Sequence, residues 1–521
     1  MIDYIVIGSG PSSVAACYSL LQSEKKVLML EGGDTPKISF PTEPFDIWKK
    51  KEILQKEWTF ESTSLSGNSS KNSSPKLRTK QNYKMIEKFH QLNNIKSNNE
   101  FPIGAIVSGG LSNLWGAGIA YPSTDDMSIF PFSPSDKKIF KASFEFISQK
   151  IGISGCSEDD LSDYFGVDNY SQKTTSLDKL QNFVFEKYKK NKHKFATKNF
   201  KIGRSRLAVL SEDMNDRKGC NSCGNCFYGC SRSSIYNSRY SLEELKKNKN
   251  FYYKNNHLVR KLIDSPSNPS ILVETKNGER VFSAKKILIG AGVISTTKLV
   301  YTALNLKEVK SFSSSPTAAF MLWMPQLLGS SPSTSFGLAQ LSFVTNIRNY
   351  KSFGSLFTPT TLPQYNFLEH MFMKRRFATS VFRSIISSCL VGNLMLPGSL
   401  ARANIFFDKN TMHFRGGYNK KTLAIMNEFK KELRWSFRQF GLYLIPGSFR
   451  IGDFGSDIHY GSSLPMKANP TIGQTDKYGK IIGLGGFYAI DSSCLPAISE
   501  KSHTLTMMAN SHRIGKHLVS V

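Results

Sequence analysis

The sequence predicts an α/β protein built on a mostly parallel sheet, with a second domain in which a mostly antiparallel sheet is covered by helices. Three segments carry this expectation. The apolar run Ile2, Tyr4–Ile7 leads into Gly8-Ser9-Gly10-Pro11-Ser12-Ser13, then a helical spacing of small and apolar residues, then a second apolar run at Val27–Leu30. That is a strand, glycine turn, helix and strand of the Rossmann type. A second strand–glycine–helix unit, I-L-I-G-A-G-V-I-S-T-T-K-L, returns at 287–299, and a strand ending in an acidic turn, F-Y-A-I-D-S-S, at 487–493. At 521 residues and 40% hydrophobic composition, the chain is too long for one ordinary core. We expect a dinucleotide-binding domain assembled from 1–125, 201–300 and 456–521, and a substrate domain from 126–200 and 301–455.

The remaining elements follow in order. Residues 60–83 are rich in Ser, Asn and Lys and read as a surface loop. Gly104–Gly118 is glycine-rich with Trp115 embedded. Residues 136–200 read as amphipathic helices. Phe251–Val281 reads as hairpin-like strands, with Asn277-Gly278 as a turn signal. Residues 300–450 alternate short strands and helices, and the C-terminal stretch reads strand, turn, helix. The uncharged runs Ser311–Asn346 and Ser384–Ala401 hold serine, proline and glycine, which argues against membrane spans.

The formal net charge is +28. The lysines are scattered and no stripe alternates them with stacking aromatics, so a nucleic-acid partner is not expected. A solvated basic surface is the plain reading; contact with an anionic membrane or an anionic substrate is the other. Met1 runs directly into the first strand without a basic leader or cleavage site, which predicts a cytoplasmic protein, with the inner face of the membrane as a peripheral location.

The first glycine turn has the parts of a pyrophosphate site. Gly8 permits the tight turn, Gly10 lets the backbone approach a phosphate, and Ser12 and Ser13 open the helix whose N–H groups hold it. Ser13 is small where helix and strand must pack closely. Glu31 ends the second strand about 20 residues later, where an acid binds a ribose hydroxyl. The returning units at 287–299 and 487–493 favour FAD over NAD.

In their order, these segments resemble the glucose–methanol–choline (GMC) flavoprotein oxidoreductases. The likeness rests on G-S-G-P-S-S with Glu31, S-G-G-L-S-N-L-W-G-A-G (108–118), G-A-G-V-I-S-T-T-K-L (290–299), H-Y-G-S-S-L-P-M (459–466), A-I-D-S-S-C-L-P (489–496) and K-S-H-T-L-T-M-M-A (501–509). It implies that Gly109, Gly110, Ser112, Asn113 and Trp115 lie beside the flavin, that Gly290 and Gly292 form a further turn against it, and that Asp491, Ser492 and Thr504 hold it from the C-terminal side. It also implies FAD-dependent oxidation of a CH–OH group. His503 fills the family's base position. We assign both His459 and His503 to the reacting oxygen, His459 taking the hydroxyl proton and His503 hydrogen-bonding the same atom, roles that can be exchanged. Neutral imidazole suits this work because its ordinary pKa is near 6.5. Ser462-Ser463 and Ser502-His503 depart from the family pattern.

Four of the eight cysteines crowd into C-N-S-C-G-N-C-F-Y-G-C: Cys220, Cys223, Cys226 and Cys230. The spacing resembles the run that ligates a cubane iron–sulfur cluster. A [4Fe-4S] or [3Fe-4S] centre, a structural zinc ion and metal-free thiols remain the three readings. Some sugar-oxidising GMC dehydrogenases carry a cysteine cluster in a comparable region followed by a similar I-Y-N-S segment (235–238), so the resemblance points to a dehydrogenase acting on a sugar or glycoside and passing electrons to an acceptor protein or quinone. A long-chain alcohol or sterol oxidoreductase, and a non-redox flavin lyase or isomerase, are the alternatives.

Overall fold

The computed structural model describes residues 2–39, 75–97, 101–167, 172–195, 199–265, 268–330, 335–359, 371 and 373–520. Most of the polar stretch expected as a loop at 60–83 lies outside the described residues.

Five short strands make the parallel sheet: β1 (Tyr4–Ile7), β2 (Val27–Leu30), β3 (Phe251–Lys254), β4 (Lys286–Ile289) and β5 (Phe487–Ala489), in the order β5-β4-β1-β2-β3. All four pairings are parallel. β1 and β2 are buried throughout, which is why they read as continuous apolar runs. Sequence reading placed Phe251–Lys254 within a hairpin; it is instead an edge strand paired with β2. The turn expected at Asn277-Gly278 is where the hairpin forms, with Ser270–Thr275 and Gly278–Ser283 pairing antiparallel.

Helix α1 (Pro11–Gln22) starts with proline in its first turn and Gly10 as N-cap. α2 (Pro134–Ile151) is started by a capping box between Ser133 and Asp136. α3 (Val293–Ala303) follows β4. α4 (Arg375–Ile385) and α5 (Lys420–Arg438) lie in the second half, and α6 (Thr504–Ser520) closes the chain. α6 packs along both α1 and α2. His512 stacks on Phe146 at 4.6 Å, and Ser511 Oγ donates to the Ser12 carbonyl at 2.6 Å. α2 thus sits on the dinucleotide side of the molecule although it falls within 126–200.

A seven-stranded antiparallel sheet forms the second body, running from Lys201–Arg204 through Leu341–Ile347, Tyr350–Phe357, Cys389–Met395 and Thr317–Trp323 to short edge pieces at 443–444 and 450–451. α5 covers it with Ile425, Met426, Phe429, Leu433 and Phe437, which join Phe320 and Phe343 in one apolar cluster. The fold class is therefore the one expected: a parallel dinucleotide sheet and an antiparallel sheet covered by helices. A six-stranded sheet contains Arg402–Asp408 and Thr411–Gly417, and its outer pair, Ser313–Ser314 with Tyr460–Gly461, leads the chain to His459. Among the described residues no helix is long and apolar enough to cross a membrane.

Candidate active site

The first glycine turn meets the second strand–glycine unit at van der Waals range. Gly8 has φ +90°, and a Cβ there would lie 2.5 Å from the Gly290 carbonyl oxygen, so only glycine fits. Ser13 Oγ bonds the same carbonyl at 3.3 Å, a packing role rather than a phosphate contact. At Gly10 the reverse holds: a Cβ would touch nothing within 4 Å, and the residue faces a cavity. The N-terminus of α1 opens onto that same space, where its free N–H groups and positive dipole end favour an anion.

Glu31 is buried at the end of β2. It accepts from the Ser9 N–H at 3.0 Å, the Ser9 hydroxyl at 2.7 Å and the Gly33 N–H at 3.1 Å. Burial pushes its carboxyl pKa up, and these hydrogen bonds pull against that. Ser9 Oγ also accepts from the Gly109 N–H at 3.0 Å, which ties the two glycine turns together. Ser112 donates to the Gly109 carbonyl at 2.6 Å, and Asn113 closes its own turn by donating to the Gly110 carbonyl at 2.8 Å. The I-Y-N-S segment completes this network: Asn237 donates to Asn113 Oδ1 at 2.8 Å, and Ser238 Oγ donates to the Ser9 carbonyl at 3.0 Å.

The C-terminal parts are held by a second network. Asp491 is buried, accepts from the Ser493 N–H at 2.9 Å and from Thr296 of α3 at 2.5 Å, and has its pKa pushed up by burial. Ser492 donates to the Tyr460 carbonyl at 2.9 Å, and the Ser462 N–H donates to the Ser492 carbonyl at 3.0 Å. The strand after His459 is thereby pinned to the turn that precedes His503. Ile458, a β-branched residue, sits at φ 61°, so the backbone is strained beside His459.

The two imidazoles come together, with ring centroids 5.3 Å apart and planes at 72°. His459 Nδ1 lies 3.4 Å from Asp457 Oδ2. Asp457 is held by the Ser314 hydroxyl at 3.0 Å. Among the described residues His503 Nδ1 is buried without a hydrogen-bond partner. Burial, and then the charge of His459, push the His503 pKa down to about 3.

One cavity of about 1160 Å³ is lined by both histidines and by most residues expected to hold a dinucleotide: Gly8, Gly10, Ser12, Glu31, Gly110, Ser112, Trp115, Gly290, Gly292, Asp491, Ser492 and Thr504. Ser13, Gly109 and Asn113 stand behind this lining and hold it in shape. The open cradles at Gly10 and Gly292, which a Cβ would fill, the helix end and the buried acid all fit FAD. Lys76 and Asp457 escaped sequence reading, and the I-Y-N-S segment was noted there without a role at the site. Lys76 lines the cavity, donates to the Trp115 carbonyl at 2.8 Å, and has its pKa pushed down to about 8 by burial. Asp457 backs His459. Asn237 and Ser238 brace the second glycine turn. Lys76 lies in a polar stretch with no motif, and Asp457 carried no signal beyond standing two residues before His459.

The folded chain shares its architecture with pyridoxine 4-oxidase from Mesorbium loti: 11% identity, TM-score 0.59, 99% of each chain covered. It has the GMC-type flavoprotein fold. No protein-family model and no curated protein matches the sequence.

Among the described residues no three His, Cys, Asp or Glu side chains are placed to hold a metal ion, and Cys220, Cys223, Cys226 and Cys230 are free thiols. The iron–sulfur and zinc expectations therefore lack support. The segment turns through positive φ at Ser222, Gly224 and Gly229, and of its four cysteines Cys226 is the buried one. Cys226 is buried against Gly337, and burial pushes its thiol and that of Cys220 up, with the neighbouring cysteines adding to the shift.

Proposed function

We propose that this protein is an FAD-dependent oxidoreductase that oxidises a CH–OH group. The observation that carries the reading is the pair of imidazoles facing into the same cavity as the Gly8–Ser12 turn and Glu31. The neighbour is by name an oxidase, which supports redox chemistry on this fold. FAD, held by the residues above, would supply the two-electron hydride acceptor. The protein's own part is at the substrate hydroxyl. His503 stays neutral because burial depresses its pKa to about 3, so it is a weak base and acts as a hydrogen-bond partner that orients the oxygen. His459 takes the hydroxyl proton as the carbonyl forms, and Asp457 at 3.4 Å balances the imidazolium that results.

The same cavity is also lined by Phe320, Met321, Leu338, Phe357, Phe382 and Ile445. This favours an alcohol on an apolar body over the sugar suggested by resemblance. Each buried sugar hydroxyl left unpartnered costs about 1–3 kcal/mol. The test is anaerobic flavin reduction of the FAD-loaded protein with a panel of sugars, glycosides, fatty alcohols and sterols. Bleaching by apolar alcohols is expected. Bleaching by sugars alone would overturn the substrate class, and no bleaching with any alcohol would overturn the oxidoreductase reading.

A further inference from the structure

Helix α4 presents two unlike faces. Its inner face buries Ala378 and Phe382, which join Ile386, Met321 and Met371 in a small cluster. Phe382, Ile385 and Met371 from that side line the cavity. The outer face carries exposed apolar side chains beside Ser380 and Ser384: Phe377 is 64% exposed and Val381, one turn on, 40%, with Met373 just before the helix at 44%. Large apolar side chains on the water side of a helix are ordinary when single; a stripe is a docking face.

The charge around this stripe is of one sign. Lys374 and Arg376 are exposed beside it. No acidic residue occurs between Glu369 and Asp408. At the far end of the helix, the turn Pro325–Leu327 packs against Ile386–Ser388 and is followed by Leu328, 54% exposed. A basic amphipathic helix whose apolar stripe faces water fits an anionic bilayer surface, lying in the headgroup region without crossing it.

We propose that α4 docks this protein on anionic membranes, inserting Phe377 and Val381 at the headgroup–acyl boundary with Lys374 and Arg376 at the lipid phosphates. An apolar alcohol then passes from the bilayer along Met371, Phe382 and Ile385 into the cavity. The delivery half rests on the proposed oxidation of an apolar alcohol; the docking half does not.

The test is co-sedimentation of the FAD-loaded protein with phosphatidylcholine vesicles, with and without about one-third phosphatidylserine. Binding to the anionic vesicles only, weakening as salt rises, is expected. Phe377→Ser with Val381→Ser should weaken it about 10- to 100-fold, and Lys374→Gln with Arg376→Gln about fivefold per charge. Both pairs should keep the parent's thermal midpoint and its flavin reduction by a short water-soluble alcohol. Absence of vesicle binding, equal binding to neutral vesicles, or binding unmoved by the Phe377/Val381 pair would overturn docking. A dimer in light scattering that this pair dissolves would assign the face to a second copy and also overturn it. If vesicle binding holds while no alcohol bleaches the flavin, the oxidation reading fails and docking stands.

Discussion

The two histidines meet the same cavity in different states. Both rings are partly exposed at the cavity wall; burial holds His503 neutral, whereas His459 has a carboxylate 3.4 Å away. Replacement of His459 by alanine is expected to slow anaerobic flavin reduction about 10²–10⁴-fold, the usual span for a lost general base, while the bound flavin keeps its colour. Unchanged reduction would transfer the base role away from His459. The two glycines of the first turn make a matched pair. Gly8→Ala puts a Cβ against the Gly290 carbonyl at positive φ and should lower the melting temperature markedly. Gly10→Ala meets no protein atom within 4 Å and sits at φ −69°, so the fold should survive while FAD affinity falls. Equal stability losses in the two would show that Gly10 does not face a ligand. The glycine turns and Glu31 were legible because each is a local pattern. Lys76 and Asp457 were not, because a lone lysine or aspartate gains meaning only from what the fold places beside it.

At the scale of elements, the C-terminal helix both delivers His503 and seals the dinucleotide sheet. His512 within α6 is buried, bonded to Ser143 at 3.0 Å and stacked on Phe146, and burial pushes its pKa down to about 4. The unfolded chain binds this proton near pH 6.5 and the native state only near 4, so the contribution is full above pH 6.5 and is lost as pH falls through that window. Between pH 7 and 5 it amounts to as much as about 2 kcal/mol. Urea unfolding of a His512→Gln variant should therefore show a shallower loss across that range than the parent; parallel losses would refute it. Strand and helix periods made these elements readable. The edge pairing of Phe251–Lys254 with β2 was not, because a short run carries no mark of which partner its hydrogen bonds will find.

Over the whole molecule, distant segments depend on one another. Tyr4 OH donates to the Leu518 carbonyl at 2.7 Å, Ser19 donates to that of His512 at 2.7 Å, and Gly515 lets α6 approach the backbone of α1 closely. Removal of residues 504–520 should leave no cooperative unfolding transition, since α1 would expose the face that α6 covers; a normal transition would show that the sheet stands without it. The α/β class, the dinucleotide turn with its acid, and the order of the glycine and histidine blocks were readable along the chain, because each is written in adjacent residues with a strand or helix period. That His459 and His503 meet, and that α4 turns apolar side chains to water, emerged only with the folded chain. Those outcomes depend on how chain segments far apart in sequence pack together, and residue spacing along the chain does not encode that distance.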